Sequence, residues 1–396
     1  MKHEQTIEQR IPAAFSYPVV FSRKIFSPGH PALAALLHRA RDGDEPCRVL
    51  CFVDEAVARS HADLLSDFRA ALQAADPTAQ LLHDPRPVPG GEAIKNDYRL
   101  IMEMLDTLLE HRLCRHSLVF AIGGGAVLDA VGFAAALVHR GVRLVRVPTT
   151  VLAQCDAGLG VKNGMNLHGG KNVVGTFAPP YAVLNDADFL DTLPMEHWIG
   201  GVSEAFKVAL IKDARFFESL CAEAPLVAGR DAPAMARIVR RCAELHLEHL
   251  CAGGDPFELG EARPLDFGHW SAHKLEALSN YRIGHGAAVA TGIAIDTCIA
   301  AELGWVSEPV RDALLAALET IGFRLWHEEL GWTQGDGTLS ILRGLEEFRE
   351  HLGGRLTLIL PEGPGQGRVL HEVAPASVER AVRRLATRAP AGKEFG

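Results

Sequence analysis

The chain has 396 residues, 48% hydrophobic and 22% charged, with 40 basic against 49 acidic side chains for a formal charge of −9. That length exceeds the size at which one core stops growing, so two domains are expected, and the apolar fraction excludes wholesale disorder. An acidic balance argues against a chain that mainly coats nucleic acid or an anionic membrane.

The amino-terminal MKHEQTIEQRIPAAF lacks the apolar stretch of a signal peptide, and no run approaches the roughly 18 apolar residues of a membrane span, so a soluble, cytoplasmic protein is expected. RVLCFVDE (48–55) reads as a strand ending in acidic residues, and HADLLSDFRAALQAA (61–75) carries apolar residues at helical spacing. RLIMEMLDTLLEHRL (99–113) is a second helix, and HSLVFAIGGG (116–125) is a buried strand running into glycines. VLDAVGFAAALVHR (127–140) reads as a helix and VRLVRVPTT (142–150) as a strand. Strands separated by helices imply a mainly parallel α/β sheet.

After about residue 187 the pattern turns helical: FLDTLPMEHWIGGVSEAFKVALI, then 233–252, 269–281, 286–303 and 308–321, with LTLILP (356–361) as a short strand. The expected organisation is a nucleotide-binding α/β domain over 1–187 and a mostly helical domain over 188–396. Gly353-Gly354 and GPGQG read as turns. The eight cysteines contain no CxxC pair and read as buried thiols of a reducing compartment.

Gly123, Gly124 and Gly125 lie between a strand and a helix, where backbone N–H groups can approach a phosphate at the positive end of the helix. A full GxGxxG is absent, since position 128 is leucine, and a ligand-free tight turn is the bland alternative. Asp54 closes an earlier strand, where it can accept from a ribose hydroxyl or cap a helix. Only nine of the 40 basic residues are lysines, and four of them, Lys95, Lys162, Lys171 and Lys207, sit in glycine- or acid-flanked polar contexts that suit a compact ammonium. Glu204 and Lys207 are three apart on a helix, His269 and His273 four apart on another, and His285 opens the next. A surface ion pair is the bland reading of the first, while two or three histidines with a glutamate make a competent zinc set with an open position.

These residues stand in a wider pattern. GGGAVLDAVGFAA, RGVRLVRVPTTVLAQCDAGLGVKNGMN, GGKNVVGTFAPP, DFLDTLP, GGVSEAFKVALI, DFGH and IGHGAAVATG follow in the order seen in dehydroquinate synthases, and residues from about 50 to 361 resemble the wider sugar phosphate cyclase family. The resemblance implies an NAD-binding Rossmann-like domain joined to a helical metal-binding domain, usually as a homodimer. It implies NAD and Zn2+ as cofactors, with Co2+ a competent substitute, and Glu204, His269 and His285 as metal ligands. Asp54, Glu92, Lys95, Gly123, Gly124, Gly125, Asp129, Thr149, Thr150 and Thr192 would contact NAD, with Lys171 near the nicotinamide end. Asp156, Lys162, Asn172, Lys207 and His273 would face a phosphorylated sugar, with Glu258 as proton acceptor and Arg140 reaching the phosphate from the neighbouring subunit. The implied reaction is transient oxidation by NAD, phosphate elimination, re-reduction and aldol closure of a carbocycle.

Within that family the chain departs from dehydroquinate synthase. The asparagine before FGH is Asp266, the arginine four places earlier is Ala262 with Arg263 one place off, and a lysine of the preceding helix aligns with His246 or Glu248. A carboxylate at 266 repels a substrate carboxylate and accepts from a hydroxymethyl group. FREHLGG and PGGEAIKN are similar to segments of cyclases that act on sedoheptulose 7-phosphate, making Arg349 a candidate phosphate ligand and His351 a candidate hydroxyl contact. His273, which many sedoheptulose cyclases lose, is retained. The expected activity is therefore a sedoheptulose 7-phosphate cyclase yielding a valiolone-type cyclitol. The alternatives are 3-dehydroquinate synthase, an iron-type polyol dehydrogenase and a cyclase-derived protein without turnover.

Overall fold

The computed structural model describes residues 6–9, 14–41, 43, 45–168, 170–252, 257, 264–351 and 354–388. Its first half is organised by a seven-stranded parallel sheet. Across it lie Val19–Ser22, Ala182–Asp186, Arg143–Pro148, Leu118–Gly123 and Arg48–Asp54, the last pairing with both Gln80–Leu81 and Arg86–Val88. The central strands are buried on both faces, which is why they read as continuous apolar runs. One face packs against Leu33, Leu37, Phe68 and Leu72, the other against Ile101, Met104, Leu108 and Val131.

Three strands end on one edge in chemistry-bearing residues: Asp54 after the first, Gly123 before the glycine turn, and Pro148 leading to Thr149 and Thr150. In open parallel sheets that carboxyl edge is where ligands sit. The segment after Thr150 passes through a short π-helical turn, Ala153–Ala157, which bears Asp156. Such turns are uncommon and concentrate at functional sites. A hairpin outside the main sheet follows, Lys162–Leu167 against Gly170–Phe177, packed on the helix Gly125–Leu137. The periodicity reading passes over this hairpin because glycine and asparagine interrupt any apolar alternation.

Beyond Asp186 the described chain is helical apart from one two-stranded hairpin, Leu358–Pro361 with Gly367–Leu370. Helix Val202–Lys212 lies at the centre, buried along ten consecutive residues from Val202 to Ile211. A helix enclosed all round is a core element, so Glu204 and Lys207 are buried charges and not the surface pair of the bland reading. Around it pack Ala214–Ala228, Ala232–Ala252 and His285–Glu302, and His269–Leu278 packs in turn on His285–Glu302. No helix among the described residues is long and apolar enough to cross a membrane.

The cysteine expectation needs correction. All eight are free, but Cys114 and Cys251 are exposed and Cys221 is half-buried. Cys114 falls in the turn after a surface helix and Cys251 near a helix end, where no apolar layer covers them.

Candidate active site

The nucleotide cleft is assembled first, from the carboxyl edge of the sheet. The helix Gly125–Leu137 starts at Gly124 with no side chain capping it, so its first amides are available to an anion. A Cβ at Gly124 would lie 3.3 Å from Thr150, and one at Gly125 would lie 3.1 Å from Ala157, so side chains there would fill the approach to those amides. Thr149 is buried with its hydroxyl oxygen unpartnered among the described residues, a waiting polar contact. Asp54 caps the next helix through the Ala56 amide at 2.8 Å. The cap reading of Asp54 thus holds, and the ribose reading would rest on its second carboxylate oxygen. Thr192 Oγ1 lies 2.9 Å from His61 Nε2, so the turn Ala187–Thr192 reaches across the sheet edge to the segment that follows Asp54. The donor set suits a dinucleotide.

Two residues of that set face one another. Lys95, 3% exposed, donates to Asp129 at 2.7 Å and also to Asn172. Glu92 accepts from Asn166 at 2.8 Å and lies 3.8 Å from Lys171.

The metal half is built from three helices. Glu204 on the central helix, His269 at the start of its helix and His285 at the start of the next place ligand atoms within 4.8 Å of one another. Both Glu204 oxygens are buried with no hydrogen bond from the described residues, touching only the charged ends of Lys207 and His285. Unused carboxylate lone pairs beside two imidazoles are the environment a divalent cation satisfies, so the residues fit zinc. Burial raises the Glu204 carboxyl's pKa, but Lys207 and His285 more than offset it and hold it far below the usual range. Burial lowers Lys207, and Glu204 and Asp156 raise it above its ordinary value. Burial and the Lys207 charge push His269 well below the histidine norm, whereas His285, opposed by burial, is raised to about 9 by Glu204 and Glu276.

The histidine helix is anchored at its first turn. Asp296, 1% exposed, accepts from the Gly268 amide at 3.0 Å and the Trp270 indole at 2.7 Å. Gly268 has φ +80°, and a Cβ on Gly292 would stand 2.0 Å from the Gly268 carbonyl oxygen, so both glycines are required by the close helix contact.

Around the metal set gather the expected substrate residues. Asp156 on the π turn lies 3.4 Å from Lys207 Nζ and 3.4 Å from His246 Nδ1. The charge of Asp266 is felt by Lys207. His273 is exposed, its ring 5.3 Å from His269 and 6.0 Å from His285. Lys162 and Asn172 sit on the hairpin, Lys162 exposed.

The remaining expected residues stand differently. Arg140 stands beyond the far end of the 13-residue helix from the glycine turn, about 20 Å away at 1.5 Å per residue, and does not reach that turn in its own chain. Arg349 is exposed on Arg343–His351, a helix that packs against the histidine helix. Glu258, Ala262, Arg263 and the side chain of His351 lie outside the described residues.

Two residues, Glu276 and Arg146, emerge only from the structure, and a third, His246, gains its partner there. Glu276, 3% exposed, receives Lys171 Nζ at 2.8 Å and His285 Nδ1 at 3.1 Å. His246 pairs with Asp156, and burial lowers its pKa, keeping the imidazole neutral. Arg146, fully buried, donates to the carbonyls of Ala157, Gly158, Gly160 and Lys162 and to the Asn163 side chain at 2.6–3.4 Å, clamping the turn between Asp156 and Lys162.

Comparison with known proteins agrees with this architecture. Residues 86–200 match the model of the 3-dehydroquinate synthase N-terminal domain, and 201–340 that of its C-terminal domain. A 3-dehydroquinate synthase of Cereibacter sphaeroides is 35% identical over 373 residues, covering 93% of this chain and 95% of that protein. A 2-epi-valiolone synthase of Actinosynnema mirum is 32% identical over 366 residues, covering 88% and 94%. Among solved structures, ValA, a 2-epi-5-epi-valiolone synthase from Streptomyces hygroscopicus with NAD+ and Zn2+ bound, superimposes with TM-score 0.84 at 28% identity, covering 96% of this chain and all of that one. With a nucleotide cleft, two histidines gathered on a buried glutamate and family models matched along both halves, the chain belongs to the 3-dehydroquinate synthase family of sugar phosphate cyclases.

Proposed function

We propose that the protein is an NAD- and zinc-dependent cyclase that converts sedoheptulose 7-phosphate to a valiolone-type cyclitol, with inorganic phosphate as the leaving group and no net oxidation. Residues 1–187 would hold NAD and 188–396 the metal, in a homodimer that brings Arg140 to the partner's phosphate site. The observation that carries the substrate choice is acidic character near Lys207. Asp266 adds its charge there, and Asp156 faces the neutral His246. A substrate carboxylate would meet like charge in that surrounding, whereas a hydroxymethyl group has acceptors waiting.

When bound, NAD and zinc supply reversible hydride removal and a Lewis acid for a secondary alcohol. Glu204, His269 and His285 would hold the metal; the glycine turn, Thr149, Thr150 and Asp54 would hold the dinucleotide. The chain's own residues do the rest. Lys207, kept protonated between Glu204 and Asp156, places a fixed positive charge beside the metal set, where an oxygen gains negative charge. Asp156 and His246 form an adjoining acceptor pair that orients substrate hydroxyls. Lys162, presented by the Arg146 clamp, and His273 at the mouth line the approach for the sugar phosphate.

A second reading, 3-dehydroquinate synthase, is favoured by the name of the 35%-identical Cereibacter relative. Incubating the loaded enzyme with each sugar phosphate, measuring phosphate release and identifying the carbocycle separates the two. Faster release from sedoheptulose 7-phosphate is expected. Efficient turnover of 3-deoxy-arabino-heptulosonate 7-phosphate alone overturns the proposal.

A further inference from the structure

We infer that Glu276 is a positioning residue that sets the orientation of His285 and ties it to Lys171 in the nucleotide-binding half; this rests on the metal reading above. Glu276 lies on the helix His269–Leu278, seven residues after His269 and three after His273, so it shares their face. Its two oxygens have different occupants. Oε1 accepts from Lys171 Nζ at 2.8 Å and Oε2 from His285 Nδ1 at 3.1 Å. A carboxylate only accepts, so His285 donates from Nδ1, and Nε2, 3.6 Å from Glu204 Oε1 on the metal side, is the nitrogen left to give up its proton and take a metal.

The other occupant comes from across the molecule. Lys171 belongs to strand Gly170–Phe177, and the next residue, Asn172, meets Lys95, which pairs with Asp129 on the helix that opens at the glycine turn. The Tyr281 ring, 5.3 Å from Lys171 Nζ, flanks the ammonium from the loop that leads to His285. Lys171 therefore holds Glu276 where His285 needs it. Glutamine cannot reproduce this arrangement. It has one acceptor oxygen, and its NH2 must face either Lys171 or His285, both of which donate.

The test is the affinity of metal-stripped protein for Zn2+ alone, titrated in competition with a chromophoric chelator. Glu276→Gln is expected to weaken zinc about 10–100-fold, and Lys171→Met about threefold or more. Adding Lys171→Met to Glu276→Gln is expected to cost nothing further, because both act through the same carboxylate. Far-UV circular dichroism and Tm check folding. Should Glu276→Gln fail to fold, Lys171→Met, whose side chain is 26% exposed, keeps the affinity readable. Wild-type affinity in either variant, or full additivity in the pair, overturns the inference alone. Failure of the wild-type protein to bind zinc overturns the metal reading with it.

Discussion

Arg146 and Glu204 are both enclosed charges, and they are treated in opposite ways. Arg146 has no carboxylate partner, yet its two terminal nitrogens are spent on four backbone carbonyls and one side-chain oxygen. Glu204 has a cation on each side, yet neither oxygen receives a hydrogen bond from the described residues. The first arrangement completes a loop: both terminal nitrogens are spent on the turn, and only the buried Nε is left without a partner among the described residues. The second keeps lone pairs in reserve in a low-dielectric position where they are costly to leave idle. Asp76, Glu223 and Glu329 each leave one buried oxygen without a hydrogen bond among the described residues, but only Glu204 leaves both, and that marks it apart from the scaffold acids.

The largest test of this contrast is Arg146→Met, which leaves several buried acceptors without a donor. A loss of about 3–5 kcal/mol of unfolding free energy is expected in urea. A loss under about 1 kcal/mol would break the comparison. Glu204→Gln should do the reverse. Zinc affinity and phosphate release should fall more than about 100-fold, while the urea midpoint of metal-free protein moves far less than for Arg146→Met. Equal destabilisation by the two would show that Glu204 serves the scaffold.

His327 supplies the smallest effect and sharpens the rule. Its Nε2 is also buried without a partner among the described residues, but it lies outside the metal set. Burial, then the Arg324 charge, pushes its pKa down to about 4, so the ring tolerates its place by staying neutral. The folded value lies below the unfolded one of about 6.5, so the unfolded chain takes up the proton first. Stability should fall as pH drops from about 6.5 towards 4, by about 1–3 kcal/mol. His327→Gln should flatten that part of the stability profile; an unchanged profile would remove the histidine from the account.

Much of the site was legible from local pattern. The glycine turn stands where a strand meets a helix, and the i,i+3 pair of Glu204 and Lys207 and the i,i+4 pair of His269 and His273 project as helical spacing requires. Glu276 carried the same signal, since 269, 273 and 276 share a face, but its importance depends on Lys171, 105 residues away in sequence. Arg146 was visible as a charge inside the apolar run RLVRVP, though nothing local says that the turn after Asp156 folds back over it. His246 had no spacing signal, because its partner sits on a π turn that periodicity does not anticipate.

By itself the sequence determined the parallel sheet and the change to helices and offered the glutamate and histidines of a metal-competent set, because these depend on periodicity and on side-chain chemistry within a few residues. Tertiary structure decided which charges are spent and which are held in reserve. It made Arg146 a clamp, left Glu204 unsatisfied, placed Asp266 within the field of Lys207 and hung His285 on Glu276. Those outcomes depend on groups distant in the chain meeting in a space without water, where each hydrogen bond made or withheld carries its full weight.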